Sequence, residues 1–181
     1  ADVPVPGLPS HVGRYEVLEE IAHGGMGAIF KVRDPDLGRT LAMKVLLDQH
    51  GQRPDLTRRF LEEAQIGGQL QHPGLVPVHE LGRLPDQRPF FTMKLVKGRT
   101  LAEELKARAS PSADLPRLVG IFEQVCQTVA YTHSRGVIHR APNPPNIMVG
   151  AFGEVQVMDW GPAKLLGQET PPTSAGATGA S

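Results

Sequence analysis

The chain has 181 residues, 19 basic against 19 acidic side chains and 40% hydrophobic residues, enough for one buried core and no net charge to recruit nucleic acid or an anionic membrane. No apolar run reaches the ~18 residues of a membrane span, and residues 1–13 lack the basic start and apolar stretch of a signal peptide. The lone Cys126 excludes an intrachain disulfide and a thiolate-rich zinc site, so the expectation is a soluble, globular, cytoplasmic protein.

Residues 1–13, with Pro4, Pro6 and Pro9, read as an extended, weakly ordered leader. Strands are predicted at Tyr15–Ile21 and Ala28–Arg33, with the glycine-rich His23-Gly24-Gly25-Met26-Gly27 between them. After the turn Asp34-Pro35-Asp36-Leu37-Gly38 a third strand covers Thr40–Leu47, giving an antiparallel sheet. Pro54-Asp55 opens a segment whose apolar Leu56, Phe60, Ala64 and Leu70 predict a helix, although Gly67 and Gly68 weaken its last turn. Two more strands, Val76–Leu81 and Phe90–Leu95, flank a turn-rich stretch. A short helix is predicted at Leu101–Ala107. A long amphipathic one follows, with Asp114 and Pro116 as start signals, Leu118, Ile121, Phe122, Val125, Val129 and Ala130 apolar, and Gly136 as the stop. Cys126 is expected on its buried side. Strands Ile147–Val149 and Val155–Met158 close the pattern, and the small, polar run beyond Leu166 is expected to be disordered.

Four features follow the order a phosphate-handling site needs. Gly24, Gly25 and Gly27 allow backbone N–H groups to approach phosphate oxygens, though an ordinary glycine-rich hairpin has the same composition. Lys44 shares a strand face with Ala42 and Leu46, and an ammonium in that company needs a partner. Glu63 on the following helix is the candidate, against the plainer reading of a lysine snorkelling at a strand edge. Asp159, leaving an apolar strand, can hold a hard cation or simply make a turn. The proline-rich loop His139-Arg140-Ala141-Pro142-Asn143-Pro144-Pro145-Asn146 brings Asn146 near Asp159 if the two last strands pair.

Taken together, glycine loop, Ala42-Met43-Lys44, helix glutamate, His139-Arg140 with Asn146, and Asp159-Trp160-Gly161 resemble the protein kinase signature set. Arg59-Phe60-Leu61-Glu62-Glu63-Ala64, Leu70-Gln71-His72-Pro73-Gly74-Leu75-Val76 and Thr132-His133-Ser134-Arg135-Gly136-Val137-Ile138-His139-Arg140 are similar to the bacterial Ser/Thr kinases, over about Tyr15 to Leu166. The resemblance implies an α+β kinase-like fold: a five-stranded antiparallel N-lobe sheet with one helix over 14–96, then a partial, mainly helical C-lobe over 97–167, with a tail at 168–181. It implies ATP and Mg²⁺ as cofactors. Lys44 would hold the α/β-phosphates and pair with Glu63 (Glu62 being the alternative), with Asn146 and Asp159 as metal ligands. Met93 would stand behind the adenine, Lys94, Leu95 and Val96 would form the hinge, and Leu18, Val32 and Ala42 would sandwich the purine above Met148.

Three departures qualify this. Ala141 and Asn143 stand where the family has its catalytic Asp and Lys, and a methyl group has no lone pair to accept a proton. Losing one acid–base group costs a factor of roughly 10²–10⁴ in rate, about 3–5 kcal/mol of barrier. Ala22 replaces the loop's first glycine and Trp160 the usual phenylalanine, followed by Pro162. No Ala-Pro-Glu motif or later helices follow Leu166, so helix 115–134 is expected to expose apolar side chains that a partner would cover. The expected function is a regulatory, pseudokinase-like domain that binds ATP/Mg²⁺ with impaired Ser/Thr phosphotransfer. The alternatives are an active Ser/Thr protein kinase with a protein substrate, and a nucleotide-free interaction scaffold. Thr170, Thr173, Ser174 and Thr178 are candidate phosphate acceptors.

Overall fold

The computed structural model describes residues 8–47 and 53–165. Strands β1 (His11–Val12), β2 (Tyr15–His23), β3 (Gly27–Asp34), β4 (Arg39–Leu46), β5 (Val78–Arg83) and β6 (Pro89–Lys94) form one antiparallel sheet in the order β1-β2-β3-β4-β6-β5. The five strands of the expected sheet are all present, and the two-residue β1 adds a sixth edge strand. Part of the leader is therefore ordered: Leu8 and Val12 are buried, because they cover the end of the core below Tyr15 and Val17. β5 begins two residues later than predicted, since Pro77 has no N–H to give the ladder and its carbonyl instead accepts from Lys94 N at 3.1 Å.

The strands' period of two splits the sheet into two unlike faces. Ala28, Phe30 and Val32 of β3 and Leu41, Met43 and Val45 of β4 pack with Tyr15, Leu84 and Phe90 in an outer core. Helix α1 (Pro54–Gln69) covers the inner face, where Phe60 and Ala64 meet Leu46 and Phe91, the two phenyl rings lying 5.1 Å apart. At Gly67 the helix runs so close to β5 that a Cβ would lie 2.6 Å from Val78 Cγ2. Beneath the outer face Asp34 is fully buried between Arg14 Nε at 3.5 Å and Arg39 Nε at 3.6 Å.

The remainder is built on α3 (Leu115–Ser134), preceded by β7 (Arg99–Thr100) and α2 (Leu101–Lys106). Thr100 and Glu103 form a reciprocal capping box at the start of α2. Then come β8 (Val137–Ile138), a 3₁₀ turn at Pro144–Asn146, β9 (Ile147–Val149), β10 (Val155–Val157) and β11 (Lys164–Leu165). β9 pairs with β10 and β7, and β8 with β11. A second core joins Ile121 and Val125 of α3 to Leu75, Val137, Ile147, Val149, Val157 and Trp160. The opposite stripe of α3 is open: Leu115, Val119 and Phe122 are 52%, 57% and 68% exposed. Cys126 lies on that open side and is exposed, contrary to the expectation, because the covered face of α3 runs through Ile121, Val125, Thr128 and Thr132. Among the described residues no helix is long and apolar enough to cross a membrane. The tail at 168–181 and its Thr170, Thr173, Ser174 and Thr178 lie outside the described residues.

Candidate functional site

A cavity of about 750 Å³ opens between the inner face of the sheet, α1 and the segments after β8 and β10. It is lined by Ala22, Gly24, Gly25, Gly27, Lys44, Glu63, Met93, Asn146 and Asp159, residues far apart in sequence that were expected to share one site. Each reaches it through local structure. The loop between β2 and β3 is closed by a hydrogen bond from Gly24 N to Gly27 O at 2.9 Å. At Gly27 a Cβ would lie 2.7 Å from the Val45 carbonyl, so a side chain there would push the loop off β4.

Lys44 alternates with the outer-core residues Met43 and Val45, which turns it inward. Its ammonium donates to both carboxylate oxygens of Glu63, at 2.7 and 2.8 Å. Glu62, the alternative partner, lies 3.7 Å from Arg58 Nε instead. Burial pushes the Glu63 carboxyl above the usual carboxylate range, with the Lys44 ammonium pulling the other way and Asp159 adding to the rise.

Pairing of β9 with β10 brings the two expected metal ligands together, with Met158 N donating to Asn146 O at 2.7 Å. Asp159 then turns out of β10 in the left-handed region at φ 56°, which ends the strand one residue earlier than predicted. Asn146 Nδ2 donates to the Ala141 carbonyl at 3.1 Å, and the residue, whose amide oxygen is an acceptor, lines the cavity. A carboxylate and an amide oxygen are hard donors that suit magnesium. Trp160 is buried behind them, donating from Nε1 to Val157 O at 3.1 Å, with its ring edge-on to His139 at 4.3 Å. The Ala141 N–H donates to His139 Nδ1 at 3.2 Å, so Nε2 carries the ring proton toward Met158 O at 2.7 Å. Burial, partly offset by the Met158 carbonyl, holds the His139 pKa below its ordinary value. Ala141 is half-buried and Asn143 exposed, and neither offers the acid or the cation of the family's loop.

Ala42, Leu95 and Met148 are placed outside the cavity lining. Ala42 shares the Lys44 face and pairs across the ladder with Met93, while Met148 sits in β9 opposite Gln156. The purine sandwich is corrected at Val32, which is fully buried in the outer core on the other side of the sheet. Ile29, in register with Gly27 along β3, takes the inward place. Leu18 is 40% exposed and does not line the cavity. Val76, Val78, Phe91 and Met158 complete the apolar wall, and Arg59 and Pro162 also line the cavity. Period two was a signal for Ile29 from Gly27 and for Phe91 from the expected Met93; Val78 of β5 had none, because its inward direction depends on α1.

Comparison with known proteins identifies the family and the fold. The sequence profile described as "Protein kinase domain" matches residues 15–179. The chain is 36% identical over 172 residues to the serine/threonine-protein kinase PknD of Protochlamydia amoebophila, covering 90% of this chain and 17% of that protein. It is 38% identical over 165 residues to PknD of Chlamydia pneumoniae, covering 86% and 18% respectively. The chain thus spans about a sixth of the length of these relatives. The crystal structure of the Mycobacterium tuberculosis PknI kinase domain superposes with a TM-score of 0.71 at 26% identity, over 86% of this chain and 63% of that one. With Lys44, Glu63, Asn146 and Asp159 around one cleft beneath a glycine loop, and a family match over most of its length, the chain belongs to the protein kinase family, on its bacterial Ser/Thr branch.

Proposed function

We propose that this chain binds ATP with magnesium in the cavity and transfers phosphate poorly, acting as a regulatory, pseudokinase-like domain in the cytoplasm. The observation that carries the reading is the Lys44 ammonium, fixed on Glu63 at 2.7 and 2.8 Å in a cavity shared with Asn146 and Asp159. Lys44 would contact the α/β-phosphates, and Glu63 holds the ammonium in place for them. Asn146 and Asp159 would hold the magnesium, which when bound neutralises phosphate charge. Ala22, Gly24, Gly25 and Gly27 would cover the phosphates, and Met93 with Ile29 would border the adenine.

Phosphotransfer is impaired in this reading because no proton acceptor stands at 141. His139 does not substitute: both ring nitrogens are engaged, with Ala141 N and Met158 O. The kinase-like body is taken as 14–96 and 97–167, and a protein partner is assigned to the open α3 stripe at Leu115, Val119 and Phe122.

The test is thermal unfolding of the full chain against increasing ATP with magnesium. The melting temperature should rise with ligand concentration. Lys44→Ala should abolish the rise, and Asp159→Asn should remove its magnesium-dependent part. No rise in the parent at millimolar nucleotide would refute the reading and leave a nucleotide-free scaffold.

A further inference from the structure

Arg59 is a cation in the cavity wall that the signature residues do not account for. It sits on α1 one turn before Glu63 and lines the same cavity as Gly24, Gly25 and Pro162. Among the described residues no ion pair or hydrogen bond holds it, whereas its neighbour Arg58 faces Glu62 at 3.7 Å. The residue is exposed, so its charged end is free to turn to a ligand in the cavity it lines.

The charges along the wall show what it is for. Lys44 gives short contacts to both oxygens of Glu63, so that pair is neutral as a unit. Asp159 adds a negative charge, and the exposed Asn143 brings none. A triphosphate remains anionic even with one divalent cation bound. Without Arg59 the wall facing it would be net negative and repel it.

We propose that Arg59 binds the terminal phosphate of the nucleotide and makes the cavity selective for a nucleoside triphosphate over the diphosphate. This rests on the nucleotide reading above. Lys44 is tied to Glu63 deep in the cavity. Arg59 lies one helical turn, about 5.4 Å, nearer the start of α1 than Glu63. Its planar fork matches two phosphate oxygens at once, and from a wall position separate from Lys44 it reaches a different phosphate from the one Lys44 holds.

The experiment is calorimetric titration of the full chain with ATP and with ADP, both with magnesium, for the parent, Arg59→Gln and Arg58→Gln. Glutamine keeps nearly the helix propensity of arginine, so α1 is retained. Arg59→Gln should weaken ATP about tenfold, the worth of one charge-assisted hydrogen bond, and leave ADP within about twofold. Arg58→Gln should alter neither. Unchanged ATP affinity in Arg59→Gln, an equal loss for ADP, or an equal loss in Arg58→Gln would overturn the assignment. Absence of any binding by the parent would instead remove the nucleotide reading, and this inference with it.

Discussion

Gly67→Ala tests whether the Lys44–Glu63 contact depends on how closely α1 approaches the sheet. The added methyl would start 2.6 Å from Val78 Cγ2, where an ordinary contact begins at 3.4 Å, so the two elements must part by most of an ångström. Val78 cannot swing aside cheaply, because a β-branched side chain has few χ1 choices. Overpacking of this kind costs about 1–3 kcal/mol, and alanine returns about 1 kcal/mol of helix propensity over glycine. Global stability therefore falls by no more than about 2 kcal/mol, or roughly 4–8 °C in melting temperature for a chain of this size. The site is affected more. Glu63 lies one turn away on the same helix, and its 2.7 Å bond to Lys44 does not survive such a displacement. The nucleotide-dependent rise in melting temperature should shrink to less than half that of the parent. Gly68→Ala is the control: nothing lies within 4 Å of its Cβ position, so it should stabilise by about 0.5–1 kcal/mol and keep the full nucleotide response. A Gly67→Ala protein with an undiminished response would refute the claim that α1 spacing sets the ion pair.

Asp34→Ala should destabilise by about 3 kcal/mol in urea titration, the low end for breaking a buried ion pair because Arg14 keeps Glu80 at 2.9 Å and is partly solvated. Its nucleotide response should be unchanged, since Asp34 lies on the far side of the sheet; a lost response would mean that the two faces are coupled. Ala141→Asp with Asn143→Lys should raise phosphorylation of a generic basic protein at least about a hundredfold, measured by radiolabel transfer. Comparable turnover by the parent would overturn the impairment argument. The His139 pKa is depressed by burial, so the unfolded chain takes up that proton first as pH falls below the ordinary value of 6.5. The stability it contributes is fully present above 6.5 and is lost on acidification below it. Glu63, whose pKa is raised, gives the opposite slope just above its ordinary 4.5, where the folded state takes the proton first. Urea titrations of the parent and His139→Gln between pH 5 and 7.5 separate the two; identical pH slopes would refute the role of His139.

Much of the site was legible in the primary structure because strand and helix periods are properties of neighbouring residues. Lys44 had to face away from Met43 and Val45, and Glu63 had to share an α1 face with Phe60. Asn146 and Asp159 had to meet once β9 and β10 paired as a hairpin. Periodicity, however, says only that two faces differ. It does not say which one a distant element will cover. That choice was made by packing: α1 against Leu46 and Phe91 turned Ile29 to the cleft and left Val32 to the outer core. Contacts of α3 with β8 and β10 buried Ile121 and Val125 and put Phe122 and Cys126 on the open side. The two-residue β1 has no local signal, and exists because Leu8 and Val12 find the end of the core. Arg59 likewise reads as one more surface charge on a helix until the folded chain makes it part of a wall that the glycine loop also lines.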